Sequence, residues 1–206
     1  MLTCESLYKC TKNPRINEIS LDLLLCYYEK YLMPFIYRYN IKNESGIDFN
    51  IELRFDKRNF CHLLGIESIV KYTVNRDEIA NYKSEKGWER IKSGELNFTE
   101  LKGKNKRGFN DCKSKYVFFY LIPKIIDQPK AVIYDKTKVQ GGTRIDCKMI
   151  FYDKLQNSYV HLALEYDEEL NSYIARSFLI EKITEKNTGK KFIDNQDEII
   201  VNKIEE

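Results

Sequence analysis

The chain of 206 residues carries 34 basic and 31 acidic side chains, a formal net charge of +3, and 43% hydrophobic residues. That size and apolar content suffice for a buried core, while the near balance of charge excludes a globally cationic nucleic-acid binder. With four prolines, nine glycines, no internal repeat and no low-complexity tract, no linker stands out and residues 1–206 read as a single domain.

The six cysteines (Cys4, Cys10, Cys26, Cys61, Cys112, Cys147) form no Cys-x-x-Cys pair and no zinc-like spacing. The N-terminus runs straight to Glu5 and Lys9 without the apolar core of a signal peptide, so free thiols in a reducing cytoplasm are expected. The apolar run from Leu21 to Tyr39 is interrupted by Asp22, Glu29, Lys30 and Arg38, which argues against a membrane span.

In chain order, Asn17–Leu32 follows three- and four-residue apolar steps and predicts a helix closed by Pro34. Phe35–Ile41 and Ile47–Phe55 alternate around the turn Asn43-Glu44-Ser45-Gly46, which predicts a β-hairpin. Asp56 is a suitable N-cap for a helix that ends after Ile66. Asn75–Lys92 predicts a polar helix, and Phe98–Leu101 a short one. Lys115–Ile126 is apolar enough for a buried helix that Pro123 bends or ends. Ala131–Tyr134, Arg144–Tyr152, Tyr159–Tyr166 and Ser172–Glu181 predict strands, and the tail after Glu185 reads as partly loose. The expected class is α+β: N-terminal helices and a β-hairpin packed on a C-terminal antiparallel sheet of about four strands.

Charge is unevenly spread. Between Lys83 and Lys115 ten basic residues face five acidic ones, a local excess of +5. A basic strip suits a phosphate-bearing partner, although a solvated face would look the same. Lys104, Lys106, Arg107 and Lys115 are its candidates for substrate binding. Trp88 and Tyr82 could stack on a base, or simply cover the core.

The chain has only two histidines, and both lie off the apolar stripe of their own element. His62 is expected opposite Phe60, Leu63 and Leu64 on a helix. His161 shares a strand face with Tyr159, Ala163 and Glu165, so neither looks needed for packing. A spare imidazole moves protons near neutral pH, and with an Arg or Lys it meets the needs of metal-independent RNA cleavage. Arg144 opens one expected strand, and Arg176 with Ser177 lies within another. In strict alternation Arg176 shares its face with Ile174, Phe178 and Ile180. It must therefore be turned out by a bulge, or be paired inside with an acid or an anionic ligand. The structural alternatives are a strand histidine bonded to Tyr159 or Glu165, a helix-surface His62, an ion-paired Arg176, and solvated Lys115 and Lys148. No phosphate loop, His-Glu-x-x-His string or serine elbow occurs, and Asp146, Asp153, Glu165 and Asp167 suggest no metal site. No cofactor is expected.

Leu53-Arg54-Phe55, then Asn59-Phe60-Cys61-His62-Leu63-Leu64-Gly65-Ile66, the lysine-rich middle, Tyr116–Pro123, Tyr159-Val160-His161-Leu162 and Arg176–Glu181 together resemble one group of phage-associated barnase–EndoU–colicin–RelE-like domains. The likeness spans about residues 31–181, leaving 1–30 as a helical extension and 185–206 as a tail. It implies helices packed on a curved antiparallel sheet, and a metal-independent RNase activity of toxin or mobile-element type. By position and type it carries over to His62, Arg144, His161, Arg176 and Ser177. RNA is then the expected partner, with an antitoxin or host protein as a second one. A non-catalytic RNA- or protein-binding module, or an enzyme acting on a small phosphorylated ligand, are the competing readings.

Overall fold

The computed structural model describes residues 1–43 and 45–204. Thr3 and Ser6 cap each other reciprocally and start α1 (Cys4–Tyr8). Ser20 then accepts from the Leu23 N–H and opens α2 (Leu21–Tyr31), where Leu21, Leu24, Tyr27 and Tyr28 are buried. The expected hairpin forms as β1 (Tyr37–Lys42) and β2 (Asp48–Arg54), with Tyr39 opposite Ile51. Of its expected turn, Glu44 lies outside the described residues.

Asp56 accepts from the Arg58 N–H and caps α3 (Lys57–Leu63), as expected. The helix stops earlier than Ile66, at left-handed Gly65, and α4 (Ile66–Val70) follows. The polar helix expected from Asn75 divides into a 3-10 turn (Glu78–Tyr82) and α5 (Ser84–Lys92). Next come α6 (Phe98–Lys104) and α7 (Lys106–Phe118), each capped by an asparagine side chain, Asn97 and Asn105. A 3-10 turn then leads to α8 (Ile122–Asp127), where Pro123 sits in the first turn. Pro123 therefore starts a helix and does not break one, because its missing N–H is not needed there.

The remaining strands are β3 (Lys130–Ile133), β4 (Met149–Leu155), β5 (Ser158–Asp167), β6 (Ser172–Lys182) and β7 (Asp197–Lys203). They overturn the expected sheet of about four antiparallel strands. The strands close into a seven-stranded barrel in the order β1-β2-β6-β5-β4-β3-β7. It is mixed, because β2 and β6 run parallel through Leu53–Tyr173 and Arg54–Ile174. The tail expected to be loose supplies β7, which pairs with both β1 and β3 and so completes the ring.

The chain divides into two compact units. One combines Met1–Pro34 with Phe55–Tyr120 and is helical. The other combines Phe35–Arg54 with the chain from Leu121 onward and holds the barrel. In the helical unit, Tyr28, Phe60, Trp88 and Phe119 form an aromatic centre with edge-on and tilted contacts. Inside the barrel, Tyr39 meets Phe151 edge-on with ring centres 5.2 Å apart. Its hydroxyl donates to the Ile126 carbonyl of α8. Outside the β3–β4–β5 wall a second core gathers Val132, Tyr134, Val139, Cys147, Ile150, Ala163 and Phe192. Here residues on both faces of β5 are buried, so its alternation does not separate core from solvent.

Candidate functional site

His62 is exposed near the end of α3 and points away from the buried Phe60, Cys61 and Leu63. Three residues on, Gly65 takes φ +71°, and its N–H donates to the His62 carbonyl at 2.9 Å. Lys115 of α7 packs over this turn: a Cβ built on Gly65 would lie 3.5 Å from its Nζ and 2.9 Å from the Cys112 Sγ. The Lys115 side chain is half-buried and has no carboxylate partner among the described residues. Burial lowers its pKa, and the Cys112 thiol beside it only partly opposes that. The same surroundings raise the Cys112 pKa, chiefly through burial. A solvated Lys115 was the alternative to a substrate-binding one; the structure seats its ammonium against the turn that follows His62. Gly65→Ala should cost more than about 1 kcal/mol in a urea melt, because the left-handed backbone disfavours a Cβ and Cys112 blocks it.

Lys104, Lys106 and Arg107 are exposed around the junction of α6 and α7, in the same helical unit, without ion pairs among the described residues. Other cations of this unit are neutralised: Lys57 by Glu85, Lys92 by Glu29, and Arg90 by Glu95 and Glu100. Trp88 must be corrected. It is 3% exposed and wedged between Tyr28 and Phe60, so it is core and offers no surface for a base. Gly87 explains why α5 comes so close, since a Cβ there would lie 2.7 Å from the Cys61 Sγ. Tyr82 is also buried, donating to Glu100 at 2.8 Å.

On the barrel, Arg176 does not enter the core. The β5–β6 register runs from Ala163–Ser177 to Leu164–Ala175, which leaves Arg176 as the extra residue of a β-bulge. Ile174 and Ala175 are both buried while Arg176 is exposed, so the bulge turns the guanidinium outward. It has no ion-pair partner among the described residues. Arg176→Ala should therefore shift folding stability by no more than about 0.5 kcal/mol, read from urea midpoints. Ser177, next in the strand, is half-buried. Arg144 is exposed in an irregular segment before β4 and does not open a strand.

His161 also departs from expectation. It has no exposed surface, and its ring lies among Tyr152, Tyr159 and Phe192, the last edge-on at 5.7 Å. Neither ring nitrogen makes a hydrogen bond of normal geometry. Burial drives its pKa down to about 4, with the Leu179 backbone opposing weakly. It is a neutral packing residue of the outer core. The reason is tertiary: the loops after β3 and β6 cover a strand face that looked polar in sequence.

One cluster was not read from the sequence. Arg38 and Arg54 both bond Glu52, at 3.0 and 2.9 Å, across β1 and β2. The two guanidiniums, Arg54 first, hold the Glu52 carboxyl below its usual range. Alternation places all three on the outer face of the hairpin, which was the available signal. Among the described residues, no group of three or more His, Cys, Asp or Glu side chains is placed to hold a metal ion. Nor is any described helix long and apolar enough to cross a membrane.

A model of the family described as phage-Barnase-EndoU-ColicinE5/D-RelE like nuclease4 matches residues 26–204. The match takes in β7 as well as the segments that carried the resemblance. No curated protein and no solved structure matches the chain significantly.

Proposed function

The chain belongs to the phage-Barnase-EndoU-ColicinE5/D-RelE like nuclease4 family, and on that premise we propose that it is an endoribonuclease that needs no metal ion. In this reading the ribose 2′-oxygen attacks the adjacent phosphorus and the bond from phosphorus to the 5′-oxygen breaks. The products are a 2′,3′-cyclic phosphate and a 5′-hydroxyl. His62 is the proton-transfer group, since its side chain is exposed and an imidazole is able both to take up and to release a proton. Lys115 supplies positive charge to the phosphorane. Lys104, Lys106 and Arg107, in the same helical unit, hold neighbouring phosphates; Arg144 and Arg176, exposed on the barrel unit without ion-pair partners among the described residues, are separate candidates for contacting phosphate.

The observation that carries this reading is Lys115, a half-buried ammonium without an anionic partner among the described residues, beside the turn that follows His62. Desolvated cations stabilise developing anionic charge more strongly than solvated ones. His161 is left out, because a side chain with no exposed atom cannot reach a 2′-hydroxyl. The family's phage connection fits a toxin-type role, with a neutralising partner protein.

The test is cleavage of total RNA in excess EDTA, with product ends analysed for the cyclic phosphate. Cleavage leaving cyclic ends supports the reading. Intact RNA, or cleavage that EDTA abolishes, overturns it. RNA that is bound and left intact would favour the non-catalytic binding module on the same fold.

A further inference from the structure

The barrel unit holds a polar groove that the proposed chemistry does not use. Its volume is about 350 Å³, and Lys138, Lys186, Asn187, Lys191, Asp194 and Asn195 line it. It lies between the loop after β3 and the loop after β6. Gln196, 8% exposed, ties the loops together: its Oε1 accepts from the Asp135 N–H at 2.7 Å, and its Nε2 donates to the Asp135 carbonyl at 2.9 Å. Lys138 adds a second tie through Asp197 at 2.9 Å. The groove is thus built on a clamped pair of loops.

Its charge is one-sided. Three lysines line it against the single carboxylate of Asp194, and Lys138 is already matched by Asp197. Lys186 and Lys191 have no ion-pair partner among the described residues. Lys191 is positioned as well as unpaired: its Nζ lies 5.6 Å from the centre of the Phe192 ring. That same ring closes over His161. Asn195 adds a short amide side chain at the rim, while the Asn187 amide already donates to Glu181 at 3.1 Å and accepts from the Gly189 N–H at 2.8 Å. Two ammoniums without ion-pair partners among the described residues, with the Asn195 amide beside them in an open channel, suit the phosphate backbone of a flexible chain, which needs charge and hydrogen bonds but no base pocket.

We propose that this groove is a phosphate-backbone site for single-stranded RNA. The proposal rests on RNA being the substrate. Binding of a labelled 2′-O-methyl 12-mer, which cannot be cleaved, is measured by fluorescence anisotropy over a range of salt concentrations. The wild type is compared with Lys186→Gln/Lys191→Gln and with a control of equal charge change, Lys154→Gln/Lys182→Gln, whose lysines are exposed outside the groove.

Each phosphate contact on a single strand contributes roughly 0.7 to the slope of log affinity against log salt. The groove variant should therefore lose about 1.4 from the slope, while the control keeps the wild-type value. Cleavage of a dinucleotide substrate, whose single phosphate is the one being cut, should be unchanged. An unchanged slope in the groove variant, or an equal loss in both variants, overturns the groove and leaves the nuclease reading standing. Failure of the wild type to bind the oligonucleotide at all overturns both. Inorganic phosphate that competes equally with wild type and groove variant also counts against the groove as the anion site.

Discussion

Replacing His62 with alanine is expected to slow RNA cleavage in EDTA by about 10²–10⁴-fold, the usual contribution of a positioned acid–base group. The loss should fall on kcat, with KM little changed, because the phosphate contacts come from other side chains. His62 is exposed and its helix buries Phe60, Cys61 and Leu63 on other faces. Stability should therefore move by less than about 0.5 kcal/mol, so a lost rate cannot be ascribed to unfolding. Lys115→Met keeps the length of the side chain and removes its charge. If the ammonium meets the phosphorane, its loss should cost about 10²–10³-fold. His161→Leu is the counter-test and should retain cleavage. Equal rates for wild type and His62→Ala, or loss of cleavage only in His161→Leu, would end the assignment.

The strands were legible where the chain alternates and its partner is near. The hairpin is the clearest case, since Tyr39 and Ile41 meet Ile51 and Phe49 across a short turn. Barrel closure was not legible, because β7 pairs Tyr39 with Lys203 and Ala131 with Ile199, contacts no local pattern announces. Asp197-Glu198-Ile199-Ile200 lies in the tail that reads as partly loose. The register explains it: Ile199 faces inward with Ala131, and Glu198 faces outward beside Val132. The helix α7 was cut short in sequence because Lys106–Ser114 has few apolar residues. Phe109, Cys112 and Tyr116 nevertheless make its buried stripe.

The candidate residues divide in the same way. Strict alternation puts Arg176 on the core face, and of the ways out open to it, a bulge, an acidic partner or an anionic ligand, the bulge is the one the structure shows. His62 could be placed from helical period alone. His161 could not, since its burial depends on Phe192, thirty-one positions later, folding back over the sheet. The seat of Lys115 could not be read for a related reason: Gly65 leaves the space its stem occupies, and that approach joins residues fifty apart.

The buried imidazole of His161 should make the barrel sensitive to acid, with a definite sign. Its pKa is about 4 in the folded protein against 6.5 for the free group. Above pH 6.5 it is neutral in both states and adds no pH dependence. As the pH falls from about 6.5 to about 4, the unfolded chain takes up a proton that the folded one refuses. Stability then declines, by about 1.4 kcal/mol per pH unit at most and about 3 kcal/mol in total. Below pH 4 the folded protein is protonated too and this contribution levels off. Carboxylates titrate over part of the same range, so the effect is isolated as a difference between wild type and His161→Leu. Leucine fills a similar space among Tyr152, Tyr159 and Phe192, and it removes two buried nitrogens that lack hydrogen bonds. An unsatisfied buried polar group costs about 1–3 kcal/mol. The variant should therefore be at least as stable as wild type at pH 7, and its advantage should widen by about 3 kcal/mol at pH 4. Urea midpoints at pH 7, 5.5 and 4 measure the gap. Parallel curves for the two proteins would mean that His161 is protonated equally in both states, and so is not sealed behind Phe192.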